Sequence, residues 1–334
     1  MLSLVIPVYK NELNLDRLLA EMTALSARMP EPLEVVFVID GSPDRCAEIL
    51  RERLPLLPLR SQLVELSRNF GSFAAIRAGL ERGTGDRFAV LAADLQEPPE
   101  LIERFSRALG GGAADIVFGC RSSRSDPWLS KLMSTAFWAA YRAVVIGDMP
   151  RGGVDVFACT RAVRDRVLAL HESNTNLIAL LLWLGFRREF MFYDRAARLE
   201  GKSAWTVVKK LRYAIDSVFS FTDVPIQLLS YAGVLGMIAA VVLALVILVA
   251  KALGTIQVPG YTPIVLTIAF FGALTSLGLG ILGQYLWLTL QNARRRPNYI
   301  IDRAVTIAGA PPPSAPAAAP PTGSPAAEHP RPSR

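Results

Sequence analysis

Histidine is almost absent from this 334-residue chain, which has only His171 and His329. Catalysis built on a histidine base, and metal sites built from several imidazoles, therefore have almost no material. Any metal must rest on oxygen ligands. Cysteine is nearly as scarce. Cys46, Cys120 and Cys159 cannot pair completely and match no metal-ligand spacing. That argues against a disulfide scaffold and a zinc module, and it suits a reducing cytosolic face. Charge is short too: Asp, Glu, Lys and Arg make up 19% of residues, against about 25% in an ordinary soluble domain. The deficit is local, because Lys251 is the single charge in residues 224–293. No basic segment or cleavage site accompanies the apolar run that starts at Leu2, so no signal peptide is expected. No Gly-x-Gly-x-x-Gly follows that run, which argues against a dinucleotide-dependent reductase.

What is present falls into three regimes. Residues 1 to about 200 alternate short apolar runs with charged helical stretches. Strands are expected at 4–8, 33–39, 62–66, 88–92 and 115–119, and helices at 13–27, 47–53, 72–82 and 99–109. Apolar, unalternating strands separated by helices predict an α/β domain whose mostly parallel sheet is covered on both faces. Ligands of such sheets sit at the carboxyl ends of the strands. The third regime, 310–334, holds nine prolines among Ala, Ser and Gly. It cannot build a core and is expected to be disordered.

The second regime predicts two membrane spans, 224–250 and 263–290, each longer than the roughly 20 residues that cross a bilayer core. Lys209, Lys210 and Arg212 precede the first, and Arg294, Arg295 and Arg296 follow the second. Basic flanks on both sides place both ends in the cytoplasm. Residues 205–221 alternate basic and apolar side chains at helical spacing. This fits either a helix lying along the membrane surface or one packed on the first domain.

The sharpest local signal for chemistry is Ala92-Ala93-Asp94-Leu95-Gln96-Glu97-Pro98-Pro99-Glu100. Side chains at i and i+2 after a strand face the same side. Asp94 and Gln96 thus form an oxygen pair suited to a hard cation that also takes phosphate oxygens. A polar strand exit capping the next helix would look similar when taken alone. Other loops are expected on the same rim: Pro7-Val8-Tyr9-Lys10-Asn11-Glu12, Asp40-Gly41-Ser42 and Ser67-Arg68-Asn69-Phe70-Gly71. Asp40 and Glu12 offer acceptors for a ribose hydroxyl or a base N–H, and Gly71 allows close backbone approach.

Taken in order, Ile6-Pro7-Val8-Tyr9-Lys10-Asn11-Glu12, Asp40-Gly41-Ser42-Pro43-Asp44, Arg68-Asn69-Phe70-Gly71 and the Asp94 segment resemble glycosyltransferase family 2. More closely, residues 2–302 are similar to its polyprenyl-phosphate glycosyltransferases. The resemblance implies a GT-A-like nucleotide-diphosphosugar transferase domain. It makes Asp94 and Gln96 the site for Mg²⁺ or Mn²⁺ and the diphosphate. It also puts Pro7, Tyr9, Glu12, Asp40, Asn69 and Gly71 around the nucleotide sugar. Gly153-Val154-Asp155 resembles an acceptor-side motif, which makes Asp155 a candidate base or acceptor-orienting residue. Arg121 and Arg124, with Arg195, Arg198, Lys202 and Ser203, resemble the family's acceptor-phosphate contacts. Ala92 and Ile39 stand where the family usually has an Asp, and the Asp155 motif lacks its Arg. No Gln-x-x-Arg-Trp signature of processive synthases is present.

The implied reaction is inverting transfer of one sugar, glucose from UDP-glucose in the first instance, to undecaprenyl phosphate. Mannosyl or amino-sugar transfer is the alternative. A catalytically dead, membrane-anchored assembly subunit is the reading from another class. Expected partners are a nucleotide sugar, a polyprenyl phosphate and the membrane, with a homo-oligomer left open and no nucleic acid. The expected divisions are a cytoplasmic transferase domain at 1–204, a juxtamembrane helix at 205–223 and a two-helix hairpin at 224–293. A cytoplasmic basic segment at 294–309 and the tail at 310–334 complete a multi-pass protein of the inner membrane.

Overall fold

The computed structural model describes residues 1–122, 150, 153–170, 176–194, 224–253, 260–294 and 296–310. The chain starts with β1 (Leu2–Val8), α1 (Leu15–Arg28), β2 (Leu33–Ile39), α2 (Cys46–Arg53) and β3 (Ser61–Leu66). It continues through α3 (Ser72–Arg82), β4 (Arg87–Val90), α4 (Glu100–Gly110) and β5 (Ile116–Arg121). Then come β6 (Val156–Thr160), α5 (Arg161–Ala169), α6 (Leu177–Trp183) and β7 (Arg188–Tyr193). Two long helices follow, α7 (Val224–Ala252) and α8 (Tyr261–Ala293), and the last strand is β8 (Ile301–Ile307).

One eight-stranded sheet runs in the order β7-β5-β6-β4-β1-β2-β3-β8. β1 pairs in parallel with β2 and β4, β2 with β3, and β5 with β7. β6 is antiparallel to both of its neighbours, and β8 is antiparallel to β3. The sheet is mixed, with parallel pairs in the majority. β1 and β2 are buried on both faces, which explains their unbroken apolar runs. Leu4, Ile6, Val8 and Phe37 pack with Leu18, Met22 and Phe105 on one side. Val5, Val36, Val38 and Phe88 pack with Ala75, Ala78 and Val163 on the other.

These directions put one set of strand ends on a single rim. β1, β2, β3, β4, β5 and β7 finish there, while β6 and β8 begin there. Within the segment expected as a cytoplasmic basic stretch, 294–309, residues Ile301–Ile307 form a strand of the sheet. Its strand β8 covers the β3 edge from Leu66↔Ile301 to Ser61↔Ile307. Ser67 N donates to Ile300 O at 3.0 Å, and the Tyr299 hydroxyl donates to Glu81 at 2.5 Å. The end of α8 is therefore tied to the rim through residues 294–300.

Among the described residues, one helical stretch is long and apolar enough to cross a membrane, Phe270–Ala293, and 6% of its apolar window is buried. It overlaps most of the second expected span, runs three residues past its end, and is about 36 Å long. The first expected span lies in α7, of which Val224–Gly236 is a shorter apolar stretch among the described residues. The juxtamembrane stretch and the tail lie outside the described residues.

Candidate active site

The loops after β1 and β2 are built as one unit. Lys10 takes a positive φ of 55°, and its N–H donates to Ser42 Oγ at 2.7 Å. Ser42 Oγ donates to Asp44 at 2.6 Å, and Asp44 also accepts from Glu12 N at 3.2 Å and Cys46 Sγ at 3.2 Å. Burial would raise the Asp44 pKa, but these donors together hold it below the ordinary carboxylate value. Glu12 answers by accepting from Arg45 N at 3.1 Å, which caps the start of α2. Its carboxylate is thus a strut between two loops.

Asp40, 3% exposed, ties the next pair of loops together. Its two oxygens accept from Phe70 N at 2.7 Å and Gly71 N at 2.9 Å, and Asn69 Nδ2 donates to its carbonyl at 3.2 Å. Burial raises the Asp40 pKa, and the two N–H donors only partly oppose it. Gly41 has φ +55°, and a Cβ there would lie 2.3 Å from the Arg68 carbonyl carbon. Gly71, at φ +97°, begins α3. Tyr9 and Asn69 are exposed on this rim and Pro7 is half-buried.

The Asp94 segment leaves β4 with alternating burial. Ala93, Leu95 and Glu97 point inward, while Ala92, Asp94 and Gln96 are half-buried on the other side. Leu95 sits at φ +51°, an uncommon backbone for a branched side chain, and Gln96 N donates to Asp94 Oδ1 at 3.4 Å. No group of three or more His, Cys, Asp or Glu able to hold a metal occurs among the described residues. A carboxylate beside an amide oxygen still fits a hard cation such as Mg²⁺, which keeps waters and completes its shell with substrate phosphates. It does not fit zinc.

Three neighbouring strands supply the other half of the rim. Arg121, ending β5, grips Asp155, just before β6, through Nε at 2.7 Å and a terminal nitrogen at 2.6 Å. The Tyr193 hydroxyl, ending β7, donates to the same Asp155 Oδ2 at 2.8 Å. Burial works against the Arg121 charge, but the bound Asp155 outweighs it and raises the pKa, with Glu97 adding to the field. Two residues to which the resemblance gives separate acceptor-side roles are thus one ion pair. Tyr193 and Glu97 join this cluster with no motif to give them that place. The signal for Tyr193 was the aromatic run Phe190-Met191-Phe192-Tyr193 before Asp194. A cavity of ≈ 210 Å³ behind the Asp94 loop is lined by Arg17, Glu21, Leu95, Pro98, Pro99 and Asp194. Arg124, Arg195, Arg198, Lys202 and Ser203 lie outside the described residues.

The family model described as glycosyl transferase family 2 matches residues 3–170, which contain this whole rim except Tyr193 and β8. The chain belongs to glycosyl transferase family 2. It is an enzyme of that family, with a GT-A-like α/β fold whose sheet is mixed and mostly parallel. Over 304 residues it is 30% identical to an uncharacterized glycosyltransferase of Synechocystis sp., covering 90% of this chain and 94% of that one. Over 323 residues it is 33% identical to the undecaprenyl-phosphate 4-deoxy-4-formamido-L-arabinose transferase of Pseudomonas paraeruginosa, covering 94% and 93%. Among solved structures it is similar to a mannosyltransferase from Pyrobaculum calidifontis in complex with GDP-Man and Mn²⁺. That match has 16% identity and TM-score 0.40 and covers 86% of this chain and 87% of that one.

Proposed function

We propose that this glycosyltransferase moves one sugar from a nucleotide sugar to a polyprenyl phosphate at the cytoplasmic face of a membrane that α7 and α8 cross. The observation that carries this reading is the tie between α8 and the rim. Ile300 O accepts from Ser67 N beside the Asp40 loop, and residues 294–300 bridge from there to the end of the apolar helix. Fully extended, those seven residues span no more than about 25 Å. A lipid-borne acceptor and a rim-bound nucleotide then meet, which raises the effective concentration of the acceptor head group. The relatives named as undecaprenyl-phosphate transferases support the same acceptor class.

In this reading the loops around Pro7, Tyr9, Glu12, Asp40, Asn69 and Gly71 hold the nucleotide. Asp94 and Gln96 would hold Mg²⁺ or Mn²⁺, which supplies positive charge beside the departing diphosphate. Arg121, with Arg124, Arg195, Arg198, Lys202 and Ser203, receives the acceptor phosphate through guanidinium, ammonium and hydroxyl donors. A phosphate monoester has a second pKa near 6, so the acceptor is mostly dianionic at neutral pH and attacks with little help. In-line attack inverts the anomeric carbon. The donor is a UDP-sugar, with UDP-glucose the first to test. The 33% identity to formamido-arabinose transferases over nearly the whole chain favours the corresponding UDP-aminosugar as a second reading. The test incubates purified protein with undecaprenyl phosphate and labelled UDP-glucose, the UDP-formamido-arabinose or GDP-mannose, and counts label in the lipid phase. One donor should label the lipid, and that label should vanish in Asp94→Asn. Label from none of them would contradict the proposal.

A further inference from the structure

The Arg121 fork presents the geometry that binds carboxylate and phosphate alike, through two parallel N–H donors. Here it is filled from within by Asp155, at 2.7 and 2.6 Å. The pair sits at the rim. The Arg121 side chain is 25% exposed and that of Asp155 13%. Asp155 Oδ2, which accepts from Arg121 Nε, also accepts from the Tyr193 hydroxyl, reaching across from β7. β5 and β6 lie two and one strand spacings from β4, so the fork stands roughly 10 Å along the rim from the Asp94 loop.

We propose that Asp155 holds the place of the acceptor's phosphate: an incoming phosphate monoester takes over the Arg121 fork, and the displaced carboxylate keeps the Tyr193 hydroxyl as its donor. This rests on the acceptor being a phosphate monoester, as proposed above. Between turnovers the guanidinium is never left half-buried and uncompensated. On binding, a dianion replaces a monoanion on the same two donors, so the exchange runs toward the acceptor. A neutral hydroxyl cannot displace a carboxylate from a guanidinium. The pair therefore also rejects free sugar hydroxyls, including those of the lipid product, and confines the enzyme to one transfer per lipid. The product is a phosphodiester with one negative charge. It competes less well for the fork, and the return of Asp155 expels it. Tyr193 is a positioning residue in this scheme, acting through Asp155.

The test measures binding of farnesyl phosphate in detergent to the full-length protein and to Asp155→Asn, Tyr193→Phe and the double variant, with donor affinity and melting temperature recorded alongside. Asp155→Asn should bind the lipid phosphate about tenfold more tightly, because its amide competes poorly for the fork. Tyr193→Phe should bind it about three- to tenfold more weakly, because the displaced carboxylate loses its donor. In the Asp155→Asn background, Tyr193→Phe should add nothing. Donor affinity should not move, and farnesol should not compete. A folded Asp155→Asn protein that binds lipid phosphate no more tightly overturns the exchange. If that variant does not fold, unchanged affinity in Tyr193→Phe overturns it. A wild type that labels lipid while the variants stay flat removes the exchange alone. A wild type that transfers no sugar to any lipid phosphate removes both this inference and the acceptor it rests on.

Discussion

Replacing Gly41 with Ala should damage the protein more than the same change at Gly71, by an amount the two environments set. Both glycines have positive φ: at +55° in Gly41 an Ala costs about 1–2 kcal/mol, while Gly71, at φ +97° and ψ 158°, lies in a region nearly confined to glycine, where an Ala costs about 1–3 kcal/mol. At Gly71 nothing lies within 4 Å of the added methyl. At Gly41 the methyl meets the Arg68 carbonyl carbon at 2.3 Å and Asn69 N at 2.4 Å. Those atoms are backbone, so the Ser67–Gly71 loop itself must move, which adds roughly 1–3 kcal/mol of overpacking. The expected totals are about 1–3 kcal/mol for Gly71→Ala and about 2–5 kcal/mol for Gly41→Ala. The loop that moves carries Asn69 and the N–H groups held by Asp40, so Gly41→Ala should also weaken nucleotide-sugar binding. Thermal unfolding in detergent and calorimetric titration with UDP-sugar read the two effects. Equal losses in the two variants, or a larger loss at Gly71, would refute the crowding argument.

Asp94→Asn should lower turnover by at least about a hundredfold with an unchanged melting temperature; near-normal turnover would count against its role beside the diphosphate. EDTA should silence transfer and Mg²⁺ or Mn²⁺ should restore it, whereas indifference to chelation would contradict a cation-assisted departure. Glu34 is fully buried and accepts from Ser3 Oγ at 2.6 Å, Thr84 N at 2.8 Å, Thr84 Oγ1 at 2.9 Å and Gln62 Nε2 at 2.9 Å. Burial would raise its pKa, but these donors outweigh it and hold it below 4.5. A depressed carboxylate stabilises the fold above its unfolded pKa and loses that contribution as pH falls through the folded value. Glu34→Gln forces an amide against the Gln62 donor and should cost about 2 kcal/mol at pH 7. The gap from wild type should shrink toward pH 3, and a constant gap across that range would rule out the titration.

The half of the fold legible in the chain was the half written in local pattern. β1 to β5 are short apolar runs followed by polar exits, and each exit delivered loop residues to the rim. β6 is five residues long and antiparallel to both neighbours, so neither periodicity nor strand–helix alternation announced it. β8 pairs with β3 across more than 230 residues, including both long helices, and no local property encodes such a pairing. The site divided in the same way. Asp94 and Gln96 were recognisable from their i, i+2 spacing after a strand. The Arg121–Asp155 pair spans 34 positions, so residue types suggested a ligand for each where the fold brings them to one another. Asp44 takes no role from its motif alone, because its work is to join two loops that only the β1–β2 pairing makes neighbours.

The most direct measurement is the mass and stoichiometry of the products formed by purified protein from undecaprenyl phosphate and its sugar nucleotide. A rim that hands one glycosyl group to a lipid monoester should yield a lipid carrying a single sugar on a single phosphate, with one nucleoside diphosphate released per lipid consumed. Release of nucleoside monophosphate with a diphosphate-linked lipid, or growth of a sugar chain on the lipid, would contradict the account.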